Sequence, residues 1–302
     1  MWVGLVLACT ATTPPEASPS GATADTGPAP VVTWEVSTIT SELGAMDGIA
    51  VGADGTVYVT DFLGDGIPGN PAGNTVVRVA SDGTVEVLDA TVPLPLGVAI
   101  APDGVLHVAS WSGRGVFRLE GETATPFSVA ADNVSNVAFA PDGTLLVTNF
   151  NQNTIDRIDA SGARLPAYTD DRFNGVHGLA FDDEGQLFVG NYWDGRLFRI
   201  QEDGSVQRLA RLPDDSVLGY LTWLDGALYA TANSLEQVYR ITPEGDVTRI
   251  AGTGASGGDD GPGLEATFEK INGIAADPTR GRLLVSEGVK RLRALTPTIA
   301  SE

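Results

Sequence analysis

One of the two histidines in this sequence occupies a position that suits acid–base chemistry. His177 stands directly before the apolar run 178–181, at the start of a predicted strand. An imidazole titrates near neutral pH, so this side chain can act as a general acid or base, with Asp47 or Glu287 tuning it. His107 lies inside an apolar strand pattern and is expected to pack in the core. The sequence therefore predicts His177, Asp47 and Glu287 as candidate catalytic residues.

Polar and aromatic residues recur at matching points of a repeated pattern, which places them around one opening, here called the central mouth. Polar residues precede the first strand of a unit or follow its second strand, and aromatic residues come next. A polar mouth rimmed by aromatic rings is typical of small-ligand sites. The candidate ligand-binding residues are Trp111, Asn149, Phe150, Asn191, Tyr192, Trp193, Tyr220 and Asn272.

Several polar residues of the same pattern could bind a divalent cation. Ca²⁺ and Mg²⁺ take oxygen ligands, which Asp47, Asp61 and Asn136 would supply. His177 would favour a softer ion such as Zn²⁺. The alternative is a mouth that binds no metal and holds its ligand through polar and aromatic side chains alone.

These positions follow from a repeat that begins at residue 47. Each unit has an apolar strand, a tight turn that is often Asp-Gly, a second strand, a third strand that carries an Arg, and in most units an outer strand. Repeats of about 40 residues made of short strands indicate a propeller with one unit per blade. The six aligned segments are 47–62, 96–111, 135–150, 177–192, 219–233 and 272–288.

The sixth unit ends early, because few residues follow Arg293 and no outer strand remains. A spare strand over 33–39 precedes the first unit, so we expect it to complete the sixth blade and close the ring, which removes an exposed edge. The predicted fold is all-β: a six-bladed β-propeller of four-stranded blades, closed by an N-terminal strand. The predicted organisation is a leader at 1–9, a tether at 10–32, the propeller at 33–296 and a tail at 297–302.

Two features of the repeat resemble known propeller families. Residues 251–278 contain a Gly-rich segment, an Asp-Gly pair and an Ala-x-Phe before a Gly-Ile strand, and are similar to the signature of NHL-repeat propellers. The Ala-Pro-Asp-Gly turns at 101–104 and 140–143 resemble those of the SMP-30/gluconolactonase class. The resemblance covers 33–296 and implies a six-bladed fold, but both groups contain enzymes and non-enzymes.

The gluconolactonase resemblance implies a divalent metal at the mouth, with a role in lactone ring opening. The family's ligand positions, a Glu, two Asn and an Asp, fall at Asp47, at Leu96, at Ser135 or Asn136, and at His177. Leu96 has no donor atom, and at His177 an imidazole replaces a carboxylate. The His-Gly start of the fourth unit also resembles streptogramin lyases, which implies that His177 acts as a base.

Charge and composition exclude several classes of protein. The net charge of −21 disfavours a nucleic-acid partner, which needs a cationic surface, and disfavours docking to anionic lipid. A single Cys excludes an internal disulfide and a multi-Cys zinc site. No stretch approaches the roughly 20 apolar residues of a transmembrane helix.

The N-terminal residues predict a lipid anchor. Residues 1–8 followed by Cys9 resemble the end of a bacterial lipoprotein signal peptide, in which the cysteine after a Val-Leu-Ala run is lipidated. The Thr-, Pro-, Ala- and Ser-rich segment 10–32 reads as a flexible tether. An incidental cysteine in an apolar terminus is the alternative. The lipoprotein interpretation places the protein in the cell envelope, on its periplasmic or extracellular face.

Two functional hypotheses result. The first is a monomeric, lipid-anchored propeller that binds a small molecule, a glycan or a protein at the central mouth. The second is a hydrolase or lyase of the lactonase type that depends on a divalent cation such as Ca²⁺, Mg²⁺ or Zn²⁺. Leu96 at a ligand position of the second hypothesis favours the first.

Overall fold

Six antiparallel sheets form the blades of a β-propeller in the computed structural model. This confirms the predicted all-β fold. The structure describes residues 32–44, 46–62, 74–88, 90–113, 115–128, 133–288 and 290–299. The predictions for Cys9 and for the tether, except its last residue, lie outside these ranges. Within them, no helix combines the length and the hydropathy of a membrane span.

The first five blades follow the predicted repeat strand by strand. In each, four consecutive strands are hydrogen-bonded in chain order, from the mouth outwards. After β1 (Val32–Thr40), the strands are β2 (Met46–Val51), β3 (Val57–Asp61), β4 (Thr75–Val79) and β5 (Val85–Val87) in blade 1; β6 (Pro95–Ile100), β7 (Leu106–Ser110), β8 (Gly115–Glu120) and β9 (Thr123–Ser128) in blade 2; β10 (Val134–Phe139), β11 (Leu145–Asn149), β12 (Thr154–Ile158) and β13 (Arg164–Thr169) in blade 3; β14 (Val176–Phe181), β15 (Leu187–Asn191), β16 (Arg196–Ile200) and β17 (Val206–Arg211) in blade 4; and β18 (Leu218–Leu224), β19 (Ala227–Ala232), β20 (Gln237–Ile241) and β21 (Val247–Ala251) in blade 5.

The sixth blade is closed by the N-terminal strand, as predicted. It contains β23 (Ile271–Asp277), β24 (Arg282–Glu287) and β25 (Arg291–Ile299), and β1 pairs antiparallel with β25 from Val32 opposite Ile299 inwards. A two-residue strand, β22 (Gly261–Pro262), adds to the outer side of β1. The pairing extends past the predicted propeller boundary at residue 296, because β1 and β25 are equally long partners.

The hydrophobic core is divided among the interfaces between blades. In the described part of the chain, each of six hydrophobic clusters joins residues of two adjacent blades. Val59 of blade 1, for example, packs in one cluster with Leu284 of blade 6. Strands sandwiched between neighbours are apolar on both faces, which explains the nearly continuous apolar runs of the sequence.

Candidate functional site

A β-bulge interrupts the innermost strand of every blade at its mouth end. The register of all six inner pairs shifts there, so that the inner strand carries an extra residue opposite its partner. A bulge changes the alternation of side chains and redirects the residue that it contains. The residues in these bulges that occupy the ring around the mouth are Asp47, Leu96, Ser135, His177, Tyr220 and Asn272.

Hydrogen bonds from one blade to the next fix the backbone of this ring. In four places a polar side chain donates to the carbonyl of a ring residue in the following blade. The bonds run from Thr60 Oγ1 to Leu96 O (2.6 Å), from Asn136 Nδ2 to His177 O (3.1 Å), from Thr231 Oγ1 to Asn272 O (2.5 Å) and from Ser286 Oγ to Asp47 O (2.6 Å).

The glycines that follow several ring residues allow the inner strands to approach closely. A Cβ at Gly273 would lie 2.1 Å from the Asp47 carbonyl oxygen, and one at Gly48 would lie 2.6 Å from the Leu96 carbonyl oxygen. Both distances are too short for any side chain, so these positions require glycine. The recurring polar-then-Gly step of the sequence is therefore a packing requirement of the ring.

The ring opens into a cavity of about 610 Å³. Its wall combines apolar and aromatic side chains from blades 1 to 4 with a few polar side chains, those of Asp47, Ser135, Asn151, His177 and Asn272. The predicted ligand-binding residues Trp111, Phe150, Tyr192, Trp193 and Asn272 all lie in this wall. The lining residues are Asp47, Phe62, Leu94, Leu96, Trp111, Ser135, Phe150, Asn151, His177, Tyr192, Trp193 and Asn272.

The aromatic residues of the wall form one continuous cluster. Phe150 makes edge-to-face contacts with Trp111, Tyr192 and Trp193, at centroid distances of 5.5, 5.3 and 5.8 Å. Tyr192 and Trp193 also contact each other, at 4.8 Å. Trp193 is 56% exposed, which is unusual for a residue of this size and leaves one ring free to cover a ligand.

Asp47 is a buried carboxyl with an unsatisfied oxygen. Its Oδ1 has no hydrogen-bond partner among the described residues. Burial raises the pKa of Asp47 to about 7, and the hydroxyl of Tyr220 opposes part of that rise. The approach of the two groups is looser than a standard hydrogen bond, since the Tyr220 hydroxyl also lacks a partner of good geometry. An uncompensated carboxyl thus stands at the mouth.

His177 is a neutral imidazole at physiological pH. Burial lowers the pKa of His177 to about 3. The ring lies edge-on to Tyr220, with centroids 4.4 Å apart, and its Nδ1 has no hydrogen-bond partner among the described residues. Tyr220, which does not line the cavity itself, supports His177 and Asp47 from the same side. Burial alone lowers this pKa, with no contribution from the carboxylates predicted to tune it.

Besides Tyr220 and Asn136, four predicted site residues do not line the cavity. Asn149 donates to Thr154 Oγ1 within its own blade (3.1 Å), and Asn191 donates to the carbonyl of Arg172, in the segment that joins blades 3 and 4 (2.9 Å). Asp61 lies against Gly44, where a Cβ would be 2.6 Å from its Oδ1. The fourth residue is Glu287.

Glu287 is enclosed in an ion-pair network behind the mouth. Its carboxylate pairs with Arg293 (3.3 Å) and Arg291, and it accepts a hydrogen bond from the Glu269 amide (2.9 Å). Glu287 and Arg293 are both fully buried. Its position at the end of β24 suggested a role at the mouth, but these partners hold it away from the cavity lining.

The predicted metal ligands do not assemble. Of Asp47, Asn136 and Asp61, only Asp47 lines the cavity. The Asn136 amide bonds the His177 carbonyl and accepts from the Val137 amide (2.8 Å), and Ser135 takes the place in the ring. Among the described residues, no group of three or more His, Cys, Asp or Glu side chains is arranged to hold a metal ion. These residues do not fit the divalent site implied by the gluconolactonase resemblance.

Leu94 and Asn151 are lining residues that the sequence analysis did not identify. Leu94 has a φ of 45°, a left-handed backbone that is strained for a bulky residue. Its amide donates to Asn74 Oδ1 (2.9 Å), and its carbonyl accepts from the Trp111 amide (3.0 Å). The sequence gives no signal for this conformation, because a residue before proline ordinarily adopts an extended backbone.

The fold is shared with solved six-bladed propellers of diverse activity. Virginiamycin B lyase from Staphylococcus aureus, solved with quinupristin, superposes with a TM-score of 0.66 at 16% identity, over 88% of this chain and 99% of that one. A gluconolactonase from Xanthomonas campestris gives 0.64 at 17%, over 87% and 89%. An auxiliary nutrient binding protein from Bacteroides thetaiotaomicron gives 0.70 at 13%, over 88% and 77%. At these identities the likeness shows the fold alone. Neither a protein-family model nor a curated protein sequence matches the chain.

Proposed function

We propose that this protein is a binding propeller that captures a small organic molecule at the central mouth. The observation that carries the proposal is the cavity itself, which combines a continuous aromatic wall with a few polar groups. Such a mixture of apolar lining and convergent polar atoms is typical of small-ligand sites. The nutrient-binding protein among the similar structures supports the use of this fold for binding.

Binding without turnover fits the chemistry of the ring better than hydrolysis does. An imidazole with a pKa of about 3 is a poor proton acceptor at neutral pH, which weakens His177 as a general base. The oxygen donors expected of a lactonase metal site do not converge on the cavity. Leu96, which has no donor atom, occupies one of the ligand positions. Of the groups proposed for the hydrolase or lyase alternative, Asp47 and His177 line the cavity, whereas Asn136, Asp61 and Glu287 do not.

The rim tryptophans provide the direct test. Naphthylethanol, a neutral probe with a flat apolar body, is expected to bind the wild-type chain. The double variant Trp111→Ala, Trp193→Ala should weaken its affinity by at least about tenfold, because each truncation removes aromatic contact area from the wall. Isothermal titration calorimetry measures the dissociation constant, and thermal melting checks that the fold is retained.

Trp223→Ala is the matched control. Trp223 stacks on Phe188 away from the cavity, with centroids 5.6 Å apart, so its loss should leave naphthylethanol binding unchanged. If the wild type and the rim double variant bound naphthylethanol with equal affinity, the aromatic wall would not be part of the binding site.

We also propose that the propeller is anchored in the cell envelope through lipid on Cys9. The support is the apolar run 1–8 that ends in Val-Leu-Ala before this cysteine. Expressed in a bacterial host, the wild type should partition with the membrane fraction, and Cys9→Ser should be released as a soluble protein. Intact-mass measurement of the membrane-bound form should show a diacylglyceryl adduct, and an unmodified mass would contradict the anchor.

A further inference from the structure

The described cavity wall carries a negative group and no positive one. Among the described residues that line the cavity, Asp47 has the only carboxyl and none is a Lys or Arg. His177 is neutral, so it adds no positive charge. The side chain of Asp47 is nine-tenths buried, and its Oδ1 is unsatisfied. No group of the described wall compensates this carboxyl when it ionises.

Aromatic rings surround the same corner of the cavity. Tyr220 and Tyr192 are both close enough to Asp47 for its charge to raise their pKa values. Phe150 and Trp193 extend this surface outwards from Tyr192. The faces of such rings attract cations, and the attraction is strongest where water is excluded.

We propose that the mouth recognises an organic ammonium ion, whose charged group pairs with Asp47 and whose apolar body packs against the aromatic wall. This inference rests on the proposed binding function and specifies its ligand class. A neutral donor could satisfy Asp47 Oδ1, but only a cation also offsets the cost of burying a carboxylate. An anionic ligand would be repelled by Asp47 and by the net charge of −21.

The ionisable groups that face Asp47 determine how binding depends on pH. Tyr220 on β18 and Tyr192 after β15 have raised pKa values and stay protonated, and His177 on β14 stays neutral. Asn272 on β23 and Ser135 on β10 do not titrate. Cation binding should therefore follow the ionisation of Asp47 alone, increasing as the pH rises through about 7.

Three probes with one naphthyl body and different charges test the inference: cationic naphthylethylamine, neutral naphthylethanol and anionic naphthylacetate. At about pH 8.5 Asp47 is ionised and a primary amine keeps its proton. By calorimetry the amine should bind about tenfold more tightly than the alcohol, and the acetate more weakly than both. In Asp47→Asn the advantage of the amine should disappear, so that the amine and the alcohol bind this variant with similar affinities.

Glu244→Gln is the control for loss of charge. Glu244 is an exposed carboxylate in the turn between β20 and β21, so the amine should keep its advantage in that variant. If Asp47→Asn does not fold, the wild type decides the question alone: the advantage of the amine should shrink at about pH 5.5, where Asp47 is protonated.

The outcomes separate the two proposals. Equal affinities of wild type for amine and alcohol, or an advantage that survives both Asp47→Asn and low pH, would overturn the ammonium inference. Binding of the alcohol that depends on the rim tryptophans would still support the proposed function. Failure of all three probes to bind the wild type would overturn both.

Discussion

Asp47→Asn and His177→Gln are expected to change the pH dependence of stability in opposite directions. Between about pH 4 and pH 6.5, each variant should depart from wild type by about 1.4 kcal/mol in the free energy of unfolding per pH unit. Relative to wild type, the free energy of unfolding of Asp47→Asn should increase as the pH rises, and that of His177→Gln should decrease. Both effects arise because the two buried groups resist ionisation in the folded state.

The signs follow from the pKa of each group in the folded and unfolded states. Asp47 has a folded pKa of about 7 against an ordinary 3.8, so in this window the folded state holds a proton that the unfolded state has released. Its contribution to stability falls as the pH rises. His177 has a folded pKa of about 3 against an ordinary 6.5, so the unfolded state binds the extra proton. The contribution of His177 to stability therefore falls as the pH drops. In the wild type, the opposite pH slopes of Asp47 and His177 cancel.

Denaturant unfolding at several pH values across the window measures the slopes. Other titrating groups are common to all variants, so each slope is compared with that of wild type. The double variant should run parallel to wild type, because it loses both contributions. Single variants that also run parallel to wild type would show that neither group is held uncharged by burial.

Glu287→Ala is expected to lower the free energy of unfolding by about 3–5 kcal/mol, because it leaves Arg293 charged and buried without its enclosed partner. Arg293 is 0% exposed, and its other bonds go to the loop over 257–267 and to Asp260 at 2.7 Å. Denaturant unfolding measures the loss. Ligand binding by the remaining folded protein should match wild type, since Glu287 does not line the cavity.

Glu269→Ala is the matched control for Glu287→Ala. Glu269 pairs with Arg291 at 3.8 Å and its side chain is 42% exposed, so its loss should cost less than about 1 kcal/mol. If Glu287→Ala and Glu269→Ala lowered the free energy of unfolding by similar amounts, burial of the Glu287–Arg293 pair would not explain the effect. Loss of probe binding in a stable Glu287→Ala protein would restore a role for this residue at the mouth.

The fold could be predicted because each of its causes is local in the sequence. Strands apolar on both faces predict stacked blades, and Asp-Gly turns supply the positive φ that Gly55 and Gly104 adopt at 80° and 85°. The truncated sixth unit and the spare N-terminal strand together predict ring closure. The pairing of β1 with β25 confirms this.

The site was less predictable, because strand alternation alone does not reveal a bulge. A bulge at residue 135 determines that Ser135 faces the cavity while Asn136 bonds the next blade, an alternative that the sequence left open. Glu287 follows the same repeat position as Asn149 and Asn191. Its direction is determined by Arg291 and Arg293 on the adjacent strand β25, and the repeat pattern alone does not show that these arginines turn towards Glu287.

The bonds between blades also bear on how such a protein could acquire new ligands in evolution. Each bond that anchors Leu96, Asn272 or Asp47 ends on a backbone carbonyl, so it is independent of the side chain at that position. Mutations at these positions can change the chemistry of the opening without breaking the contacts that hold the scaffold together. The ring is therefore a set of interchangeable positions, on which selection can vary ligand preference at little cost to folding.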